Sequence, residues 1–229
     1  MANKNVSHVI FDMDGLLLDT ERLYTEAIQN VCDPFNKKYT WELKQKVMGK
    51  KESESVKIII EELNLPIPDK QFLEEVHQQY NILFPAVELL PGADKLVRHL
   101  HKHNIPIAVV TGSDTASFEL KSQNHKAFFS LFHHLVLTGD DPEVRHGKPA
   151  PDPYLIGARR FDDGVEPSKV LVFEDAVNGV ESAHAAGMQC IWVPHREHDR
   201  AILEGKTELI LNSLVEFKPE EFGLPAFES

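Results

Sequence analysis

The sequence predicts an α/β protein: a doubly wound, Rossmann-like parallel sheet core with an inserted all-helical cap domain. Three observations predict it. Short apolar runs rich in β-branched residues recur without polar alternation, the pattern of strands covered on both faces. Stretches of helical periodicity separate these runs, and such alternation implies parallel β–α–β units. One long stretch, from Leu18 to Leu90, breaks the rhythm and holds no strand pattern.

The first strand is HVIF at 8–11. Four helical patterns follow: TERLYTEAIQNV, TWELKQKVM, SESVKIIIEELN and DKQFLEEVHQQYNILF. Ser53 is placed to cap the third, and Pro66 and Pro68 separate it from the fourth. Pro91-Gly92 marks the return to the α/β rhythm. The core is therefore expected at 1–17 and 91–229, with the helical domain at 18–90. Further strands are expected at IPIAVV (105–110), HLVL (134–137), KVLVF (169–173) and QCIWV (189–193), with helices at 115–126, 152–161 and 177–186. A helical insert at that point would sit over the carboxyl ends of the strands, where open α/β sheets bind ligands.

Bulk properties narrow the function. The chain has 229 residues, 42% hydrophobic and 26% charged, as a soluble globular protein requires. Its net charge of -12 argues against nucleic-acid polymers and anionic membranes as partners, since phosphate backbones attract basic faces. No run approaches the roughly 18 apolar residues of a membrane span. Cys32 and Cys190 stand far apart and suggest neither a disulfide framework nor a CxxC site. The opening MANKNVSH lacks an apolar signal core, so a reducing, cytoplasmic setting is expected. No coiled-coil seam is present, and a monomer is the expectation.

Four short stretches follow predicted strands and should converge on one crevice: DMDG (12–15), TGS (111–113), GKPAPD (147–152) and FEDAVNG (173–179). On a strand, Asp12 and Asp14 would face the same way, two like charges in need of compensation. Each stretch alone has an ordinary reading. A DxD is a common strand-end turn, Thr111 to Ser113 suit a helix cap, Lys148 suits an exposed loop, and Glu174-Asp175 suit the positive end of a helix. Their joint order and placement are harder to assign to chance. Other features point nowhere: His99, His101 and His103 match no closed zinc set, and Gly147-Lys148 is not a Walker A loop.

The four stretches, in that order, resemble the haloacid dehalogenase superfamily of phosphotransferases across nearly the whole chain. The resemblance implies that Asp12 is the nucleophile, Asp14 the general acid and base, Thr111 a phosphoryl ligand and Lys148 the loop lysine. Glu174-Asp175 match the family's acidic pair. Physical reasons agree. A phosphate dianion repels a carboxylate nucleophile, so Asp12 needs a cation shared with the substrate. Magnesium favours an octahedral shell of oxygens, for which Asp12, the backbone carbonyl of Asp14, and Asp175 are candidates. Glu174 would orient a bound water. Lys148 would neutralise Asp12 and grip a phosphate oxygen, while Thr111 and the backbone N–H of Gly112 donate to others. Asp14 would protonate the leaving alkoxide and then draw a proton from water.

Closer features, FDMDGLLLDTERLY, VMGKK, GDDPEVRHGKPAPDPYL, VLVFEDAVNGV and FGLPAF, resemble the pseudouridine-5'-phosphatase branch. Plant enzymes of similar sequence hydrolyse glycerol 3-phosphate. The resemblance implies a small-molecule phosphomonoester as substrate, with pseudouridine 5'-phosphate leading; the alternatives are a glycerol 3-phosphate or sugar-phosphate phosphatase, a sugar-phosphate mutase, and a non-catalytic phosphate-binding protein. Lys50 and Lys51 read equally as a solvated pair or as a basic contact to the substrate, and Thr20 and Glu21 stand at the entry to the helical domain.

Overall fold

The computed structural model describes residues 5–48 and 52–228. Among them, one six-stranded sheet runs in the order β3-β2-β1-β4-β5-β6 with every neighbouring pair parallel. The strands are β1 (His8–Phe11), β2 (Ile107–Thr111), β3 (His134–Leu137), β4 (Val170–Glu174), β5 (Gln189–Trp192) and β6 (Leu209–Ile210). Strands β1, β2 and β4 are buried at every residue, as unbroken apolar runs demand of a doubly covered sheet. β3 lies at one edge and is only partly buried. The two-residue β6 at the other edge was not expected; so short a segment carries no periodic signal.

The chain divides into two compact units, Met1–Asp19 with Glu88–Ser229, and Thr20–Val87. The expected boundaries at 17/18 and 90/91 thus shift by two or three residues. The reason lies in the α/β unit. Leu18 and Leu89 form an antiparallel bridge, flanked by hydrogen bonds from Asp19 N to Glu88 O (2.9 Å) and Leu90 N to Leu17 O (2.9 Å).

The helical unit contains α1 (Thr20–Cys32), α2 (Trp41–Val47), α3 (Glu52–Leu63) and α4 (Asp69–Leu83). Thr40 caps α2, its side chain accepting from Leu43 N. Ser53, expected to cap α3, lies one residue inside a helix that begins at Glu52. The unit has its own core, including Val31, Leu43, Val56, Ile59, Phe72 and Val76.

In the α/β unit, α5 (Ala93–Lys102), α6 (Thr115–Ser122), α7 (Lys126–Phe129), α8 (Asp152–Arg159) and α9 (Val177–Ala185) accompany the strands. The single helix expected over 115–126 is broken into α6 and α7. The break falls at Gln123 and Asn124, next to Ser122, where Ser and Asn contribute little helix propensity, and His125 N closes a turn onto Ser122 O (2.8 Å). Gly157 lets α8 approach the sheet: a Cβ there would come within 2.8 Å of Val110 Cγ2. The strand order reverses between β1 and β4, since the chain moves from β1 outward through β2 and β3 before returning beside β1. Open sheets place ligands at such a crevice, at the carboxyl ends.

At the amino ends of the strands, His8, His133 and His134 surround the ring of Phe161. Burial lowers the proton affinity of His8 and, more strongly, brings His134 down to about 4. His134 Nε2 is 2.9 Å from Gly157 O, a bond the neutral ring makes by donating. Below about 6.5 the unfolded chain therefore binds more protons than the folded one, so this stability is complete above that pH and falls as pH drops toward 4. We expect the urea midpoint to fall between pH 7 and pH 5, and His134→Gln to flatten that slope; an unchanged slope would refute the assignment.

Candidate active site

Asp12 follows β1 directly, and its N–H donates to Phe173 O on β4 (3.0 Å). The residue is 6% exposed. Lys148, from the loop between β3 and α8, places one ammonium against three acceptors. They are Asp12 Oδ1 (2.6 Å), Glu174 Oε1 (2.7 Å) and Val110 O (3.1 Å). An ammonium has three protons to give, and these acceptors come from the ends of β1, β4 and β2. The Lys148–Pro149 peptide bond is cis.

Glu174, 1% exposed, is held from several sides. Its Oε1 also accepts from Tyr154 Oη (2.7 Å), and its Oε2 accepts from Ala176 N (2.9 Å). The Lys148 ammonium lies 4.9 Å from the centre of the Tyr154 ring, within cation–π range. Gly179, on the first turn of α9, leaves room for the carboxylate, because a Cβ there would overlap Glu174. Burial pushes the Asp12 carboxyl up; Lys148 opposes this, Glu174 and Asp14 add to it, and the group ends at about 8. Burial works to lower the Lys148 ammonium, yet Asp12 and Glu174 more than offset it and hold the lysine above its ordinary value.

Carboxylate oxygens of Asp12, Glu174 and Asp175 lie within 4.8 Å of one another. Among the described residues this is the one group of three His, Cys, Asp or Glu side chains so placed. An all-oxygen, acidic donor set fits a hard divalent cation. Burial is the main cause that drives Asp12 upward despite Lys148, and the Glu174 and Asp14 charges that add to it fit such a cation as well. Trp192, fully buried, steadies this corner by donating its indole N–H to Asp175 O (2.7 Å).

Asp14 is turned elsewhere. Its Oδ2 accepts from Thr111 Oγ1 (3.1 Å) and Ser113 Oγ (3.0 Å), and Lys121 Nζ lies 2.6 Å from its Oδ1. The carboxylate of Asp14 is thus outside the metal-competent group. Thr111, expected to meet a phosphoryl group, here donates to Asp14. Gly112 is exposed, and a Cβ there would meet nothing within 4 Å, so nothing in the protein's own packing demands glycine at that position.

Asp12, Lys148, Glu174 and Asp175 are brought together, with Asp14 and Thr111 joined to each other beside them. Lys50 and Lys51 lie outside the described residues. Within the helical unit, Thr20 is buried, and Glu21 pairs with Lys44 (2.8 Å). Sequence reasoning passed over Lys121, Tyr154 and Gly179. A lysine three residues after Phe118, on the face of α6 that turns inward, was the available signal for Lys121. Removing partners that orient a metal-binding carboxylate commonly costs about 10- to 100-fold in metal affinity or activity. We expect Tyr154→Phe to fall near the lower end of that range and Gly179→Ala at or beyond the upper end, in divalent-ion binding titrations. Wild-type titration curves for both would contradict this picture of Glu174.

Comparison with known proteins agrees with the geometry. A family model described as haloacid dehalogenase-like hydrolase matches residues 9–193. The chain is 51% identical to (DL)-glycerol-3-phosphatase 2 of Arabidopsis thaliana, with 98% of this chain and 94% of that protein covered. It is 44% identical to a Drosophila melanogaster protein named probable pseudouridine-5'-phosphatase, with 99% of each covered. A crystal structure of a HAD family hydrolase from Deinococcus radiodurans R1 superposes with a TM-score of 0.81 at 23% identity, over 99% of this chain and 100% of that one, a likeness of fold.

Proposed function

The chain belongs to the haloacid dehalogenase-like hydrolase family and is a phosphomonoesterase, and on that premise we propose that it works through an aspartyl-phosphate on Asp12 with magnesium as cofactor. The observation that carries the proposal is Lys148, bridging Asp12 and Glu174 at the ends of the central strands, with Asp175 in the same cluster.

In this reading Lys148 neutralises the nucleophile and grips a phosphate oxygen, relieving the repulsion between a carboxylate and a dianion. Asp12 Oδ attacks phosphorus while the bond from phosphorus to the ester oxygen breaks, and Asp14 gives that oxygen a proton. Asp14, now a carboxylate, takes a proton from water as the water oxygen attacks phosphorus. The bond to Asp12 then breaks, inorganic phosphate leaves, and both aspartates regain their starting states. Thr111 and the N–H of Gly112 would hold the remaining phosphoryl oxygens, the Thr111 hydroxyl exchanging Asp14 for substrate. Asp12, the Asp14 carbonyl and Asp175 would hold magnesium, with Glu174 beside them, and the ion would offset negative charge shared by nucleophile and substrate. Residues 20–87 are proposed as the cap that chooses the leaving group, with Lys50 as its basic contact.

Pseudouridine 5'-phosphate is the leading substrate, supported by the motif likeness and by end-to-end correspondence with the fly protein. A second reading, glycerol 3-phosphate, is favoured by the 51% identity to the Arabidopsis enzyme. Phosphate release should require magnesium, stop with chelator, and fall below detection in Asp12→Asn; release that survives that change would refute the covalent route. Across a panel of monoesters, kcat/KM for pseudouridine 5'-phosphate should exceed that for glycerol 3-phosphate by at least about tenfold, roughly 1.4 kcal/mol in transition-state stabilisation. The reverse order would favour the second substrate. Isomerised sugar phosphate with little free phosphate would instead mark a mutase.

A further inference from the structure

Lys121 is a charged residue in an interior position. Its side chain is 0% exposed, and its Nζ lies 2.6 Å from Asp14 Oδ1 and 2.9 Å from Ser113 Oγ. Ser113 Oγ in turn donates to Asp14 Oδ2 (3.0 Å), beside Thr111 Oγ1 (3.1 Å), whose oxygen accepts from Ser113 N (3.1 Å). Accepting from Lys121 aims the single hydroxyl proton of Ser113 at Asp14. One ammonium therefore restrains Asp14 twice, directly through Oδ1 and through Ser113 at Oδ2. Stability is a poor reason for such a residue. Burying a lysine costs several kcal/mol, and well-packed apolar residues in place of a buried ion pair are often as stable or more so.

We propose that Lys121, acting with Ser113, is a positioning residue that fixes the orientation of the Asp14 carboxyl group for its proton transfers. The proposal rests on the phosphatase reading and adds a determinant of proton delivery to it. Without Lys121 the carboxyl group turns more freely, and alignment with the ester oxygen is lost. A leaving group that needs a proton suffers from this; one that departs as a stable anion does not.

The test compares Lys121→Met, Lys121→Arg and Ser113→Ala on two substrates. One is whichever of pseudouridine 5'-phosphate and glycerol 3-phosphate the unmodified protein hydrolyses faster. The other is 4-nitrophenyl phosphate, whose leaving group needs no proton. General acid–base catalysis is worth about 10²- to 10⁴-fold, so Lys121→Met should lose about 100-fold in kcat/KM on the alkyl ester but less than about threefold on the nitrophenyl ester. Ser113→Ala should show the same selectivity at smaller amplitude, and Lys121→Arg should recover part of the loss. Equal losses on both substrates, or no loss on the alkyl ester, would overturn the proposal. If Lys121→Met does not fold, Ser113→Ala decides by the same ratio. Failure of the unmodified protein to release phosphate from either ester would overturn the phosphatase reading, and the proposal with it.

Discussion

The crevice depends on a single ammonium group held among carboxylates where water has little access. Lys148 joins the ends of three strands by bonding to Asp12, Glu174 and the carbonyl of Val110. Three strand ends with two buried carboxylates would repel one another without it, and removing one partner from such a pair is typically worth about 3–5 kcal/mol. The same cation that permits the local fold also readies Asp12 to meet an anion. Even so, burial holds Asp12 at about 8, with the Glu174 and Asp14 charges adding to the rise against Lys148. Those neighbouring charges are what a divalent ion would answer.

Around that ion pair the structure spends ordinary packing on unusual ends. The reversal of strand order between β1 and β4 brings Asp12 beside Glu174, although they are far apart in sequence. Trp192 is a large core side chain, and its one polar atom pins the backbone of Asp175. Gly179 contributes an absence of atoms, into which the Glu174 carboxylate fits.

Most of the fold was legible because strands buried on two faces leave uninterrupted apolar runs. HVIF and HLVL were located to the residue. Elsewhere ends moved by one or two positions, since apolarity continues past the last ladder bond; Thr111 and Glu174 each close a strand despite their polarity. The acidic members of the crevice were visible as short polar interruptions at strand ends, and Lys148 as the basic residue between a glycine and a proline in the loop after β3. Lys121 and Tyr154 were not, because each sits in a helix and reads as an ordinary amphipathic position until its partner's location is known. The orientation of Asp14 was also hidden: pleating states which face a residue occupies, not which neighbour captures its oxygens.

The polypeptide leaves the α/β unit after Asp19 and rejoins it at Glu88, with both crossings knitted together by Leu18 and Leu89. An excursion whose start and finish already touch adds little closure entropy, which grows only slowly with the length of the detour. The parent architecture is therefore nearly indifferent to what is spliced between those points. A different passage could be spliced there while the sheet, and the crevice at its strand ends, keep their construction.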